Sequence, residues 1–307
     1  MTRSVLAILL CWCVLSPALP TALPSQEIRV TLLGTGSPKV STERSGPSIL
    51  VQAGERTLIF DAGRGALQRL SQAGVNFGQV DALFLTHLHS DHVVGLPDLW
   101  LSGWLLSRRD RPLAVFGPAG TAAMLGNLEH AFAFDIRTRE VEGQLPPRGV
   151  EVRVTEIEQG VVYDSAGVRV TAFEVDHGPV RPAFGYRIDY AGRSVVLSGD
   201  TRPSPNLIAF AAHADLLIHE VADGSERYIA AHPFYVRVLA LHTRPREAGE
   251  IFTRIRPKLA VYSHIVLSDV TPEELIARTR ESYSGPLEVG SDLMRFDVGT
   301  LVTVHRQ

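Results

Sequence analysis

Between Thr86 and His92 the chain reads Thr86-His87-Leu88-His89-Ser90-Asp91-His92, which places four side chains able to bind a metal within six consecutive residues. Packing alone gives no reason to gather so many titratable groups at the end of an apolar run. On an extended segment, residues two apart face the same way, so His87 and His89 can hold one cation together. Asp91 and His92, on the turn beyond, are then aimed at a neighbouring position. The spacing describes one half of a two-metal hydrolytic centre. Imidazole and carboxylate donors suit divalent zinc, with manganese or iron as alternatives, whereas calcium calls for oxygen ligands alone.

Such a centre needs further ligands, and three later strand ends offer them. Val175-Asp176-His177-Gly178-Pro179, Leu197-Ser198-Gly199-Asp200-Thr201 and Ala260-Val261-Tyr262-Ser263-His264 each carry an apolar run into a turn that begins with a potential donor. His177, Asp200 and His264 are therefore expected to join the first cluster.

The elements that must position these residues can be read from the same pattern. Glu27 to Leu32 alternates like a half-buried strand, Ser48–Ala53 and Thr57–Phe60 read as a hairpin, and Val80–Leu85 is the strand that delivers the histidines. Gly65 to Ala73, Val93 to Ser107 and Thr121 to Ala133 read as helices, the second with Trp100 and Trp104 in the core. Asp135 to Gly149, polar and carrying Pro146-Pro147, reads as a surface loop. Beyond Glu151 strands dominate again, and Thr271-Pro272-Glu273-Glu274 opens a late helix. Two halves of similar character with no linker between them predict one domain, residues 23–307.

Composition bounds the function. With Lys+Arg 30 against Asp+Glu 33 and 45% hydrophobic residues, the chain is no general nucleic-acid binder and can bury a large core. Residues 1–22 combine Arg3, an apolar run from Val5 to Leu15 and a small-residue end, the pattern of a secretory signal peptide. Both cysteines, Cys11 and Cys13, fall inside that segment, so the expected mature protein has no disulfide and no thiolate ligand. The expected location is periplasmic or secreted, with no stable membrane insertion once the signal is removed.

The series His87, His89, Asp91, His92, His177, Asp200 and His264 resembles the metallo-β-lactamase superfamily. Leu33-Gly34-Thr35-Gly36-Ser37, Phe60-Asp61-Ala62-Gly63, Ser198 to Arg202 and Leu217-Ile218-His219-Glu220 resemble the branch that holds ribonuclease Z and certain secreted arylsulfatases. The resemblance implies an α+β fold, a four-layer αββα sandwich with the site along one edge. It also implies that His87, His89 and His177 hold one metal, Asp91, His92 and His264 the other, and that Asp200 bridges them. Asp61 is expected to support the site from beneath, Asp91 to orient the nucleophile, and His242 to protonate the leaving group.

Two divalent ions less Asp91, Asp200 and a hydroxide leave one positive charge, which favours an anionic ester. The export signal, Val221-Ala222 in place of the Ala-Thr that follows His-Glu in ribonuclease Z, and the lack of a long basic insertion between Leu113 and Val150 all weigh against tRNA. The expectation is thus an exported hydrolase that cleaves phosphodiesters or aryl sulfates through a metal-bridging hydroxide. Its substrate would be a small anionic ester, with Arg181 and Arg202 as candidate contacts and a homodimer as one assembly. The alternatives are a ribonuclease Z-type tRNA 3′ endonuclease, a lactone or β-lactam hydrolase, and a non-catalytic metal-binding protein.

Overall fold

The computed structural model describes residues 27–306. The expected signal segment, residues 1–22, lies outside them. In chain order the first half runs β1 (Ile28–Gly34), β2 (Ser48–Ala53), β3 (Arg56–Phe60), α1 (Ala66–Gln72), β4 (Ala82–Phe84), α2 (Ser90–Val93), α3 (Leu96–Leu105), β5 (Leu113–Gly117), α4 (Thr121–Gly143) and β6 (Val152–Glu156). The second half runs β7 (Gly160–Ser165), β8 (Val168–Glu174), β9 (Phe184–Tyr190), β10 (Arg193–Leu197), α5 (Pro205–Phe210), β11 (Leu216–Gly224), α6 (Glu226–Ala231), α7 (Tyr235–Leu239), α8 (Pro245–Ile255), β12 (Leu259–Ser268), α9 (Pro272–Arg280) and β13 (Leu287–Val289). The chain then returns to the first sheet with β14 (Arg295–Val298) and β15 (Val302–His305).

One sheet has the order β15-β14-β1-β2-β3-β4-β5-β6 and the other β13-β12-β11-β10-β9-β8-β7. Their inner faces share one apolar core, in which Leu32, Phe60 and Phe84 of the first sheet meet Tyr186, Leu197 and Ile218 of the second. A second core lies between the first sheet and α1, α3 and α4, and a third between the second sheet and α5, α8 and α9. That is the expected four-layer αββα arrangement. It also explains why β1 departs from the alternation expected of it: with helices behind and a sheet in front, only Arg29 of its seven residues is exposed.

The other departure is larger. Asp135 to Gly149 was expected to be a loop, yet α4 runs on to Gly143. Polarity was the misleading signal: Arg137, Arg139, Glu140 and Glu142 are good helix formers, and Arg139 pairs with Asp135 one turn earlier at 2.7 Å. The extension is polar because water surrounds most of it. Only Pro146 to Val150 behaves as a connection, and the buried indoles of Trp100 and Trp104 fasten it by donating to the carbonyls of Val150 and Pro146. The start of α9 follows expectation, with Thr271 and Glu274 capping each other.

The two sheets are joined by hydrogen bonds at one rim. Phe184 N–H donates to Thr86 O at 2.9 Å and Ile265 N–H to Thr35 O at 2.9 Å, while the Tyr186 hydroxyl reaches Leu85 O at 2.6 Å. All three link a strand of the second sheet to a segment that follows a strand of the first.

Candidate metal centre

Every expected ligand converges on that rim. The chain leaves β4 through Leu85 and Thr86, and His89 then serves as the N-cap of α2. Asp91 and His92 thus sit in the first turn of a short helix, where the sequence suggested only a turn. Gly199 has φ +60°, and a Cβ there would stand 2.4 Å from Phe184 O, so only glycine lets the chain turn Asp200 inward at the end of β10. His264 is delivered by a bulge: Tyr262 and Ile265 of β12 pair with His219 and Val221 of β11, leaving Ser263 and His264 opposite Glu220 alone. His264 takes φ 44° in that bulge, a conformation that costs energy and re-aims its ring across the rim.

Two groups of donors result. His89 Nδ1 lies 3.0 Å from His87 Nε2 and 3.3 Å from His177 Nε2. In the other group Asp91 Oδ2 lies 3.7 Å from His92 Nε2 and 3.3 Å from His264 Nε2. Asp200 Oδ2 stands between them, 3.9 Å from the Nε2 atoms of His87 and His177, 3.4 Å from that of His92 and 3.3 Å from that of His264. The seven residues thus form two groups of donors around one shared oxygen.

The chemistry of the donors fits such cations. Ring nitrogens face one another at hydrogen-bond distance, and His92 Nε2 and Asp200 Oδ1 are buried without a hydrogen-bond partner. Burial, with the charge of His92 beside it, pushes His87 well below the usual imidazole range, and burial likewise lowers His89 and His177. Neutral imidazoles are what a metal requires. Burial would raise the Asp200 carboxyl, but His264 and His92 outweigh it and hold the group ionised. Burial would lower His92, yet the charges of Asp200 and Asp61 raise it well above its ordinary value, so this group of donors demands positive charge.

A supporting layer fixes the ring orientations. Asp61, 5% exposed, accepts from Thr86 N–H and Thr86 Oγ1 at 2.8 Å each and lies 2.8 Å from His92 Nδ1. Thr86 Oγ1 is also 2.9 Å from His87 Nδ1, and Leu241 O is 3.1 Å from His177 Nδ1. Each contact occupies Nδ1 and leaves Nε2 for the centre.

His242 stands at the edge of the cluster, with a nitrogen within 4.8 Å of donor atoms of Asp200 and His264. Glu220, 2% exposed, lies 3.1 Å from its Nδ1 and accepts from Thr243 N–H at 2.8 Å. Burial lowers His242, but the Glu220 charge and hydrogen bond more than compensate and raise it to about 9. The two arginines are placed differently from the expectation. Arg202 is held by Asp176 at 2.6 and 2.8 Å, and exposed Arg181 bonds Gly178 O, so neither guanidinium is turned freely to the centre. Sequence reasoning missed Asp223, which is fully buried at the end of β11 and grips Arg244 and Arg278 at 2.5 Å each.

Fold and donor set together define a metal-dependent hydrolase of the metallo-β-lactamase superfamily. The family model described as "Beta-lactamase superfamily domain" matches residues 56–265. Among solved structures, the metallo-β-lactamase fold protein YhfI from Bacillus subtilis superposes with a TM-score of 0.69 at 19% identity, covering 88% of this chain and 99% of that one. The short form of human tRNase Z superposes at 0.62 and 23% identity, covering 87% and 98%. A protein called Ribonuclease Z from Mycolicibacterium gilvum is 38% identical over 277 residues, 88% of this chain and 96% of its own length. Another, from Mycobacterium bovis BCG Pasteur, is 36% identical over 278 residues, 88% and 98% of the two chains. The chain belongs to the ribonuclease Z branch of the superfamily.

Proposed function

We propose that the protein is a ribonuclease Z-type endonuclease that hydrolyses a phosphodiester of RNA at the 3′ side of a precursor tRNA. The observation that carries this reading is the 38% identity, over 88% of the chain, to a relative named Ribonuclease Z. It favours the endonuclease over the exported aryl-ester hydrolase that the sequence alone suggested. His87, His89 and His177 would hold one divalent cation, zinc by preference, and Asp91, His92 and His264 the other, with Asp200 shared. When bound, the two cations supply hydroxide near neutral pH and offset charge that builds on the phosphoryl oxygens.

The chain's own residues do the rest. Asp91 orients the attacking oxygen, which forms a bond to phosphorus as the bond to the departing ribose oxygen breaks. His242, kept protonated by Glu220, gives its proton to that departing oxygen. Incubating the metal-loaded protein with a precursor tRNA, bis-p-nitrophenyl phosphate, p-nitrophenyl sulfate and a lactone separates the readings. Cleavage at the junction with the 3′ trailer supports the endonuclease. Sulfate or lactone turnover with intact RNA refutes it.

One observation keeps a second reading in view. The exposed part of α4 sets Arg137 and Arg139 against Asp135, Glu140 and Glu142, which is no basic arm for gripping RNA. Together with the signal-like residues 1–22, this favours an exported hydrolase of small phosphodiesters built on the same centre. Turnover of bis-p-nitrophenyl phosphate far above that of precursor tRNA, with the protein recovered outside the cytoplasm, is the result that selects it.

A further inference from the structure

His264 is aimed by its backbone. Among the described residues nothing bonds to its Nδ1, whereas Thr86, Asp61 and the Leu241 carbonyl hold the rings of His87, His92 and His177 at that atom. The rings of His92 and His242 flank it at 5.0 and 5.6 Å, a stack that limits its tilt but lets it slide in its own plane. How far Nε2 reaches toward Asp91 and Asp200 therefore depends on where the chain places residue 264. That residue sits in a bulge at φ 44°, in the left-handed region that a side chain other than glycine occupies only where its surroundings hold it there.

Both ends of the bulge are pinned by segments distant in sequence. Before it, Gly290 N–H donates to Tyr262 O at 2.9 Å, and after it, Ile265 N–H donates to Thr35 O at 2.9 Å. The two outside partners are in turn tied to each other. Arg44 donates from one nitrogen to Gly290 O at 2.7 Å and to Thr35 Oγ1 at 2.6 Å. Asp292, its side chain 4% exposed, accepts from Thr35 N–H at 2.9 Å and Thr35 Oγ1 at 2.8 Å through one oxygen. Its other oxygen accepts from Ser45 N–H at 2.7 Å and Arg69 Nε at 3.0 Å. Four donors on a buried carboxylate make a stiff node. Thr35 is itself fully buried and spends its N–H and hydroxyl on Asp292 and its carbonyl on Ile265, so a displacement of Asp292 passes to the bulge.

We infer that Asp292 and Thr35 are positioning residues for the metal centre, which hold the strained bulge so that His264 Nε2 meets Asp91 and Asp200. The inference rests on reading the seven donors as a metal centre, and not on which ester is cleaved. Without the node, residue 264 relaxes out of its left-handed conformation and the ring leaves its place at the rim. The group of Asp91, His92 and His264 then loses a donor, while His87, His89 and His177 keep theirs.

The test is zinc affinity, measured by competition with a chromophoric chelator. His264→Ala first identifies the equivalent that this histidine serves. Thr35→Val removes the hydroxyl with little change of shape, and should weaken that same equivalent about 10- to 100-fold, the usual effect of losing a supporting contact behind a ligand. Asp292→Asn should do likewise, because its amide turns a donor toward donors. Thr35→Ser keeps the hydroxyl and should bind zinc as the parent does. Added to His264→Ala, Asp292→Asn should cause no further loss, since its effect passes through the missing ring. Should Asp292→Asn fail to fold, Thr35→Val takes its place in that combination. Parental binding by Thr35→Val and Asp292→Asn, equal weakening of both equivalents, or a loss that persists without His264 overturns the positioning role and leaves the metal centre standing. A parent that binds no zinc refutes the metal centre and this inference with it.

Discussion

Replacing Asp61 by Asn isolates one proton at the base of the metal centre. Asp61 has φ 58°, a left-handed conformation that asparagine tolerates, so the backbone between β3 and α1 should not move. Its Oδ1 accepts from Thr86 N–H, while Oδ2 meets both Thr86 Oγ1 and His92 Nδ1 at 2.8 Å. In Asp61→Asn the atom at Oδ2 becomes an NH2 group, a donor facing the Nδ1 proton of His92. The ring escapes the conflict by moving its proton to Nε2, the nitrogen that should bind metal. Loss of such a supporting contact typically weakens metal affinity about 10- to 100-fold, or about 1.4 to 2.7 kcal/mol. Competition with a chromophoric chelator should show the weakening in the equivalent bound by Asp91, His92 and His264, with a smaller effect on the other. Two equivalents bound as tightly as in the parent, in a variant of parental thermal stability, would refute the tautomer argument.

Other outcomes follow from the same geometry. Glu220→Gln removes the charge that raises His242 to about 9; because a general acid works only while protonated, activity is lost as pH rises through its pKa, and the alkaline limb of the kcat profile should move to lower pH. His242→Ala should slow cleavage of an RNA ester about a hundred- to ten-thousand-fold but spare a p-nitrophenyl ester, whose leaving group needs no proton; equal losses on both would show a structural role. Chelation should abolish activity and lower the melting temperature by calorimetry, since metal at a hundred times its Kd adds about 2.7 kcal/mol of stability. Asp223→Ala strands Arg244 and Arg278 around an emptied carboxylate site, and urea unfolding should record a loss of about 3 kcal/mol.

The convergence of the seven donors was legible because its signal is local: four apolar strand runs, the first followed by donors at fixed spacing and each of the others by one donor. The supporting carboxylate Asp61 was legible only through the family resemblance, as nothing in Phe60-Asp61-Ala62-Gly63 says that the side chain turns toward His92. Asp223 was missed because its partners Arg244 and Arg278 stand 21 and 55 residues away, beyond any local pattern. The extent of α4 was misjudged for the opposite reason. Its solvated outer half has no apolar stripe to reveal a helical period, and its helix propensity carried less weight than its polarity. Arg202 was assigned by position after Asp200, but pairing with Asp176 decides where its charge points, and that pairing depends on how two loops meet.

The bonds from Phe184 to Thr86 and from Ile265 to Thr35 lace the sheets together beside the donors. A growing polypeptide that has reached only β6 carries His87, His89, Asp91 and His92 but not yet His177, Asp200 or His264. If these donors hold cations as proposed, tight capture comes late, as a clasp that closes after the sandwich has shut.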